Sequence, residues 1–291
     1  MSGEEKNVRG FFVTNEQRRD RIKNTAGDPT GLSCRTIPNP SPKGRFPMKK
    51  QLFAALFASC AGLALRLLEL TRGFDTDGLP NGSTFYVPYA LAAIAGALAL
   101  FSRTLPGRES VTESFEDIFD FTSPLPTATA VMGAFMLLAG AGLSVLDGGF
   151  APAALLPAVL LLLCAAAMFY CVFALRRGED FSPIALLVPV CYLLVLLILL
   201  YRVNSKDPVL LDYYPAILAA AALCLAYLLL AAFAYRNGSP RRFSAAASLA
   251  VLFSFMAALD SMMTHSFSFA AIFLGFALLP LAFMAAAEFD G

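Results

Sequence analysis

The chain of 291 residues is 58% hydrophobic and only 15% charged, and its mean hydropathy is +0.66. These values exclude an ordinary soluble domain and predict an integral membrane protein. The formal net charge of +1 conceals an uneven distribution, because residues 1–50 alone hold 11 of the 22 Lys and Arg.

Residues 1–47 are polar, rich in Arg, Asn, Pro and Gly, and carry no periodic apolar pattern, so we expect them to be disordered. Met48 is followed by two lysines and then by an apolar run, which is typical of the start of a membrane protein. Residues 43–45 can be encoded by a purine-rich stretch that looks like a bacterial ribosome-binding site. We therefore predict that 1–47 is a translated leader outside the native protein, and that 48–291 is a polytopic domain of a bacterial plasma membrane.

Eight apolar stretches follow, each near the length of about 20 residues that a helix needs to cross the hydrocarbon core. Short segments rich in polar residues, Pro or Gly separate them. The sequence therefore predicts an all-α bundle of about eight transmembrane helices. The predicted spans are 51–71, 85–102, 126–146, 152–175, 182–201, 213–235, 243–263 and 267–287.

The distribution of Lys and Arg between the connecting segments predicts the orientation. With the N-terminus in the cytoplasm, the inner segments hold 18 of these residues and the outer segments hold three. Without the leader the ratio is still nine to three. We therefore expect both termini to be cytoplasmic.

The inner segment 109–121 is longer than the others and places apolar residues at helical spacing, with five acids on the remaining faces. This pattern predicts a short amphipathic helix on the inner surface. Its negative charge disfavours docking to anionic lipid. The two remaining interpretations are a capping helix neutralised by nearby arginines and a helix that binds a cytoplasmic partner.

The two halves of the membrane domain, 48–177 and 178–291, show similar punctuation. Thr71-Arg72 and Tyr201-Arg202 both precede a polar loop, and Leu146-Asp147 and Leu259-Asp260 end corresponding spans. Four spans return the chain to the same side, so this pattern favours two parallel four-helix repeats. Chance resemblance between two halves rich in Ala and Leu is the alternative.

Ionisable residues in or beside membrane spans are costly and commonly mark cavities, bundle interiors or helix ends. Here they gather at the predicted outer ends of the spans. The repeat would place four of them around one outward-facing vestibule, namely Arg72, Arg202, Asp147 and Asp260. Alternatively, Arg66 and Glu69 form a structural pair at spacing i,i+3, and the two aspartates end their helices in water. The candidate ligand-binding residues are Arg66, Glu69, Arg72, Asp147, Arg202, Asp260 and His265.

Other kinds of site receive little support from the sequence. Six scattered cysteines and one histidine show no ligand spacing, so we expect no metal site, and no motif indicates a cofactor. Gly133, Gly140 and Gly142 lack the Lys of a phosphate loop, and they indicate close helix packing instead. Pro189 and Pro280 lie inside spans and mark candidate kinks.

Two classes of function remain. The first is binding or passive transport of a small polar solute or a lipid headgroup at the outer vestibule. The second is a non-catalytic scaffold or accessory subunit with a membrane-protein partner. An enzyme ranks third, because Asp260 and His265 are the only near acid and base pair, and we assign no catalytic residue. The expected partners are the lipid bilayer, a small polar solute or lipid headgroup, and a membrane protein, and we expect no binding of nucleic acid.

Overall fold

A computed structural model of the chain describes residues 45–73, 82, 84–105, 115–148, 152–177, 182–204, 213–235 and 237–290. Within this part, eight helices are long and apolar enough to cross a membrane, which confirms the predicted all-α multi-span fold. Residues 1–44 of the predicted leader, 1–47, lie outside the described residues. The helices are α1 (Lys49–Arg72), α2 (Val87–Phe101), α3 (Phe115–Ile118), α4 (Pro124–Gly148), α5 (Pro152–Arg177), α6 (Ile184–Asn204), α7 (Tyr214–Ala234), α8 (Pro240–Met263) and α9 (Phe267–Ala286).

Proline sets the start of five of the long helices. Pro124, Pro152 and Pro240 are the first residues of α4, α5 and α8, and Pro88 and Pro215 are the second residues of α2 and α7. A proline at the first turn removes no helical hydrogen bond, and its fixed φ favours the helix. The short polar connections and these prolines together explain why the predicted spans agree with the observed ones to within about three residues.

Six of the long helices pack as a closed series. Each helix from α4 to α9 packs on the next, and α9 returns to pack along α4. The α1–α2 hairpin lies outside this series against α8. The hairpin is also the less buried part, since 22% of the α2 span is buried inside the protein and 72% of the α9 span is. The bundle therefore has α9 at its centre and the hairpin at its edge.

Glycines bring the backbones of α4 and α9 together. A Cβ placed on Gly133 would lie 2.9 Å from the carbonyl oxygen of Gly275, and one placed on Gly140 would lie 2.9 Å from Ile272. A Cβ on Gly142 would meet nothing within 4 Å. The predicted packing role is therefore confirmed for Gly133 and Gly140 and is wrong for Gly142, whose side of the helix is open.

Pro280 leaves a backbone carbonyl of α9 without its helical donor. The N–H of residue 280 would normally donate to the carbonyl of Phe276, four residues earlier, and proline has none. The hydroxyl of Tyr227 on α7 donates to this carbonyl at 3.0 Å, and the tyrosine is fully buried. A neighbouring helix thus satisfies the group that the proline freed, as membrane interiors require.

Residues 115–121 close one end of the bundle. Phe115, Ile118, Phe119 and Phe121 are buried, and Phe119 packs edge-on against the ring of Phe283 with centroids 5.0 Å apart. The sequence predicted a helix lying on the inner surface. Among the described residues of this segment, 115–118 form one helical turn, and the four apolar side chains are buried among the helix ends, where they are removed from water. Residues 106–114 lie outside the described residues.

The same end joins the two ends of the described chain. Strand β1 (Arg45–Pro47) pairs antiparallel with β2 (Glu288–Asp290), and the Met48 N–H donates to the Ala287 carbonyl at 3.3 Å. Eight spans and this pairing place both segments at one face of the bundle. We call this the Phe119 end, and the opposite end, where α4 finishes, the Asp147 end.

The two predicted repeats pack differently. In the second half, each of α6, α7, α8 and α9 packs on the next. In the first half, α1 packs on α2 and α4 packs on α5, but the extensive contacts of the hairpin are with α8. The duplication stays a prediction, and the observed helix contacts give it no support.

Candidate functional site

Three of the predicted site residues meet at the Asp147 end, between α1 and α8. The guanidinium of Arg66 donates to both carboxylate oxygens of Asp260, through Nε at 2.8 Å and Nη2 at 3.0 Å. Its Nη1 donates to Oε2 of Glu69 at 2.6 Å. The bidentate geometry matches the planar fork of arginine to a carboxylate. We call these residues, with Tyr214, the Arg66 cluster.

Tyr214 completes the cluster from the first turn of α7. Its hydroxyl donates to Oε2 of Glu69 at 3.2 Å, and its ring lies beneath the guanidinium, with 5.2 Å between Cζ and the ring centroid. A cation over an aromatic face gains further stabilisation when it is shielded from water. The sequence gives no sign that Tyr214 meets Arg66, because α7 is distant in the chain from α1.

Burial indicates what the Arg66 cluster does. Arg66 and Glu69 are each 1% exposed and Asp260 is 17% exposed. The guanidinium is already engaged by two carboxylates, so a ligand carboxylate or phosphate would have to displace one of them. This geometry favours the structural interpretation of the pair, in which the cluster holds α1 against α8.

The other predicted residues do not join this cluster. Arg72 and Arg202 are exposed near the ends of α1 and α6, and His265 is exposed in the turn between α8 and α9, with a φ of 58°. Asp147 is exposed at the end of α4. Asp260 thus lies in the Arg66 cluster and Asp147 does not, and a vestibule shared by Arg72, Asp147, Arg202 and Asp260 stays a prediction.

Asp147 borders a cavity of about 750 Å³ that lies between α4, α5, α6 and α9. Its lining follows α6 from Val203 inward to Tyr192, which is roughly 16 Å at the helical rise. Most of the wall is aliphatic, from residues such as Leu160, Leu196 and Leu199. Arg66, Glu69 and Asp260 do not line it. The volume lies within the range of about 300–1,000 Å³ typical of small-molecule pockets.

A few polar groups stand in this apolar wall. Asp147, Ser144 and Ser268 line the end of the cavity where α4 finishes, and Tyr192 lies at the inner limit of the lining. The Ser144 hydroxyl donates to the Gly140 carbonyl at 2.7 Å. Within the described residues, the side chains of Asp147, Tyr192 and Ser268 have no hydrogen-bond partner, although the last two are only 4% and 6% exposed.

Comparisons with known protein families, with curated proteins and with solved structures find no match to this chain. Its function must therefore be inferred from its own geometry. Within the described residues, no group of three or more His, Cys, Asp or Glu is placed to hold a metal ion.

The sequence found one member of the cavity, Asp147, and missed the others. Tyr192 carried a usable signal, because a hydroxyl near the middle of an apolar span needs a partner or a polar cavity. Ser144 and Ser268 carried little signal, since serine is common in membrane helices and can bond to its own backbone. The aliphatic wall could not be told from lipid-facing surface, because both read as Leu and Val.

The cavity can accommodate an elongated amphiphile. Apolar walls of this depth match a hydrocarbon chain about one leaflet long, since the whole hydrocarbon core measures about 30 Å. The polar groups at the mouth can bond to a headgroup. A small polar solute alone would leave the aliphatic walls without a complementary partner.

Proposed function

We propose that this multi-span protein binds a membrane amphiphile in the cavity between α4, α5, α6 and α9. The headgroup lies at the mouth near Asp147 and Ser268, and the hydrocarbon chain runs inward along α6 toward Tyr192. Of the ligands considered from the sequence, this proposal keeps the lipid headgroup. It assigns the binding site to the cavity and not to the vestibule of charged residues.

The observation that carries the proposal is the combination of an aliphatic wall with polar residues at one end of it. Asp147, Ser144 and Ser268 line the cavity at the end where α4 finishes, and leucines and valines of α5 and α6 line most of the rest. A ligand with a polar headgroup would supply a partner at the mouth. A chain in the interior would contact the leucines that line the cavity.

The positive-inside count supports an outward-facing mouth in a plasma membrane, with both termini in the cytoplasm. The proposed ligand would then enter from the outer leaflet. The accessory-subunit alternative stays a prediction, since no contact or surface of the described residues favours it over binding.

The test is to fill the cavity and measure binding. Leu199 lines the cavity and is 42% exposed, so Leu199→Trp should fold and occupy cavity space. Ile198, one residue earlier on the same helix, is 65% exposed and does not line the cavity. Ile198→Trp is therefore a matched control with the same added bulk.

The measurement is saturable binding of a radiolabelled long-chain alcohol, tetradecanol, to the purified full chain in nanodiscs. We expect saturable binding to the wild type and to Ile198→Trp, and loss of at least about tenfold in affinity for Leu199→Trp. Absence of saturable binding in the wild type, or equal binding by both variants, would overturn the proposed function.

A further inference from the structure

We infer that the cavity selects amphiphiles whose headgroup carries an amine, with the ammonium group bound by the Asp147 carboxylate. The inference rests on the proposed function and specifies its substrate class. The ligand is thus a single-chain cation, or an amphiphile whose amine is its outermost charge, rather than an anionic lipid.

The lining of the cavity carries negative formal charge. Asp147 is the only charged side chain among the described residues that line the cavity, and no Lys or Arg is among them. A carboxylate or phosphate headgroup would bring a second negative charge to Asp147, and none of the described lining residues is a cation. Like charges at this range repel, whereas an ammonium group would be attracted.

Four helix ends lie at the mouth of the cavity. There α4 and α6 finish, with partial negative charge on their last carbonyls, while α5 and α9 begin, with partial positive charge on their first N–H groups. These four partial charges largely offset one another. Asp147 stands in the last turn of α4, where an anion is intrinsically unfavourable, and a bound cation would relieve that repulsion.

Two serine hydroxyls line the cavity at the same end as Asp147. The Ser144 hydroxyl has already given its proton to the Gly140 carbonyl, so its oxygen remains as an acceptor. Ser268 is buried, and its hydroxyl has no partner within the described residues. An ammonium group has three donors and no acceptor. One carboxylate and two hydroxyl oxygens at the mouth provide a matching set of acceptors.

The experiment compares three probes of equal chain length on the full chain in nanodiscs: tetradecylamine, tetradecanol and tetradecanoic acid at neutral pH. We expect the amine to bind about fivefold or more tightly than the alcohol, and the acid to bind most weakly. Asp147→Asn should bring the amine and the alcohol within about twofold, while Asp147→Glu should retain the preference. Asp147 is exposed, so neither change should disturb folding.

The outcomes separate this inference from the proposed function. If the alcohol binds saturably and Leu199→Trp weakens it, but the amine shows no advantage, the amine selectivity is wrong and the cavity still binds amphiphiles. The same holds if Asp147→Asn leaves the preference unchanged or if the acid binds best. If no probe binds saturably, both proposals fail. Raised salt should reduce the amine preference and leave alcohol binding unchanged.

Discussion

Arg66 and Asp260, which are 194 residues apart in the chain, form a bidentate ion pair that joins the edge hairpin to α8. The hairpin of α1 and α2 makes most of its contact with the rest of the bundle through α8. A buried, fully engaged guanidinium is therefore placed at the point where the hairpin is attached.

Removal of one carboxylate should loosen this attachment. We expect Asp260→Ala to lower the free energy of unfolding by about 3–5 kcal/mol, because Arg66 then remains buried with one carboxylate partner fewer. Thermal unfolding in detergent would measure the loss. Asp147→Ala, an exposed aspartate at the end of another helix, should change stability by no more than about 0.5 kcal/mol. Equal effects of the two changes would contradict the structural role of the cluster.

The carbonyl of Phe276 should couple Tyr227 to Pro280. Tyr227→Phe removes the hydroxyl donor and should cost about 1–2 kcal/mol, because the carbonyl is buried and has lost its partner. In a Pro280→Ala background, the new N–H of residue 280 can donate to the same carbonyl. Tyr227→Phe should then cost well under half as much. A double-mutant cycle in chemical unfolding would measure the coupling, and additive effects would show that the hydroxyl does not replace the missing helical bond.

The contact between α4 and α9 should be sensitive to a single methyl group. We expect Gly133→Ala to destabilise the protein by about 1–3 kcal/mol, because its Cβ would collide with a backbone carbonyl that cannot move independently. Gly142→Ala lies on the same helix with open space around it, and it should be neutral or stabilising by up to about 1 kcal/mol. Melting temperatures of the two variants, measured side by side, would decide the point.

The orientation of the bundle can be tested with reporters at the C-terminus. A fluorescent protein that matures only in the cytoplasm should be bright when fused there, and a phosphatase that is active only outside should be silent. This pattern follows from the excess of Lys and Arg in the predicted inner segments. The reverse result would place the cavity mouth toward the cytoplasm and would reverse the leaflet from which the proposed ligand enters.

The sequence predicted the eight spans well because membrane helices are specified by local features, namely apolar length and polar or proline punctuation. The Arg66 and Glu69 pair was also predictable, since their spacing in one helix brings them together. Asp260 and Tyr214 contact that pair because their helices, which are distant in the chain, pack beside α1. No local pattern in one sequence predicts such contacts.

The cavity could not be predicted from the sequence either. An aliphatic residue that lines a cavity and one that faces lipid are chemically alike, as Leu199 and Ile198 show. A related point holds for residues 115–121, the described part of the predicted segment 109–121. Its apolar spacing indicated which residues are buried, but the composition could not tell the membrane surface from the ends of α7, α8 and α9, where Phe119 inserts.

The aromatic closure at the Phe119 end has a consequence for how occupancy would be governed. The cavity lining ends at Tyr192, and beyond it the core of the bundle is filled by side chains as far as the rings around Phe119. Under the proposed function, a ligand whose headgroup lies near Asp147 would exchange with the leaflet at that end of the bundle. Occupancy would then follow the concentration of the ligand in that leaflet.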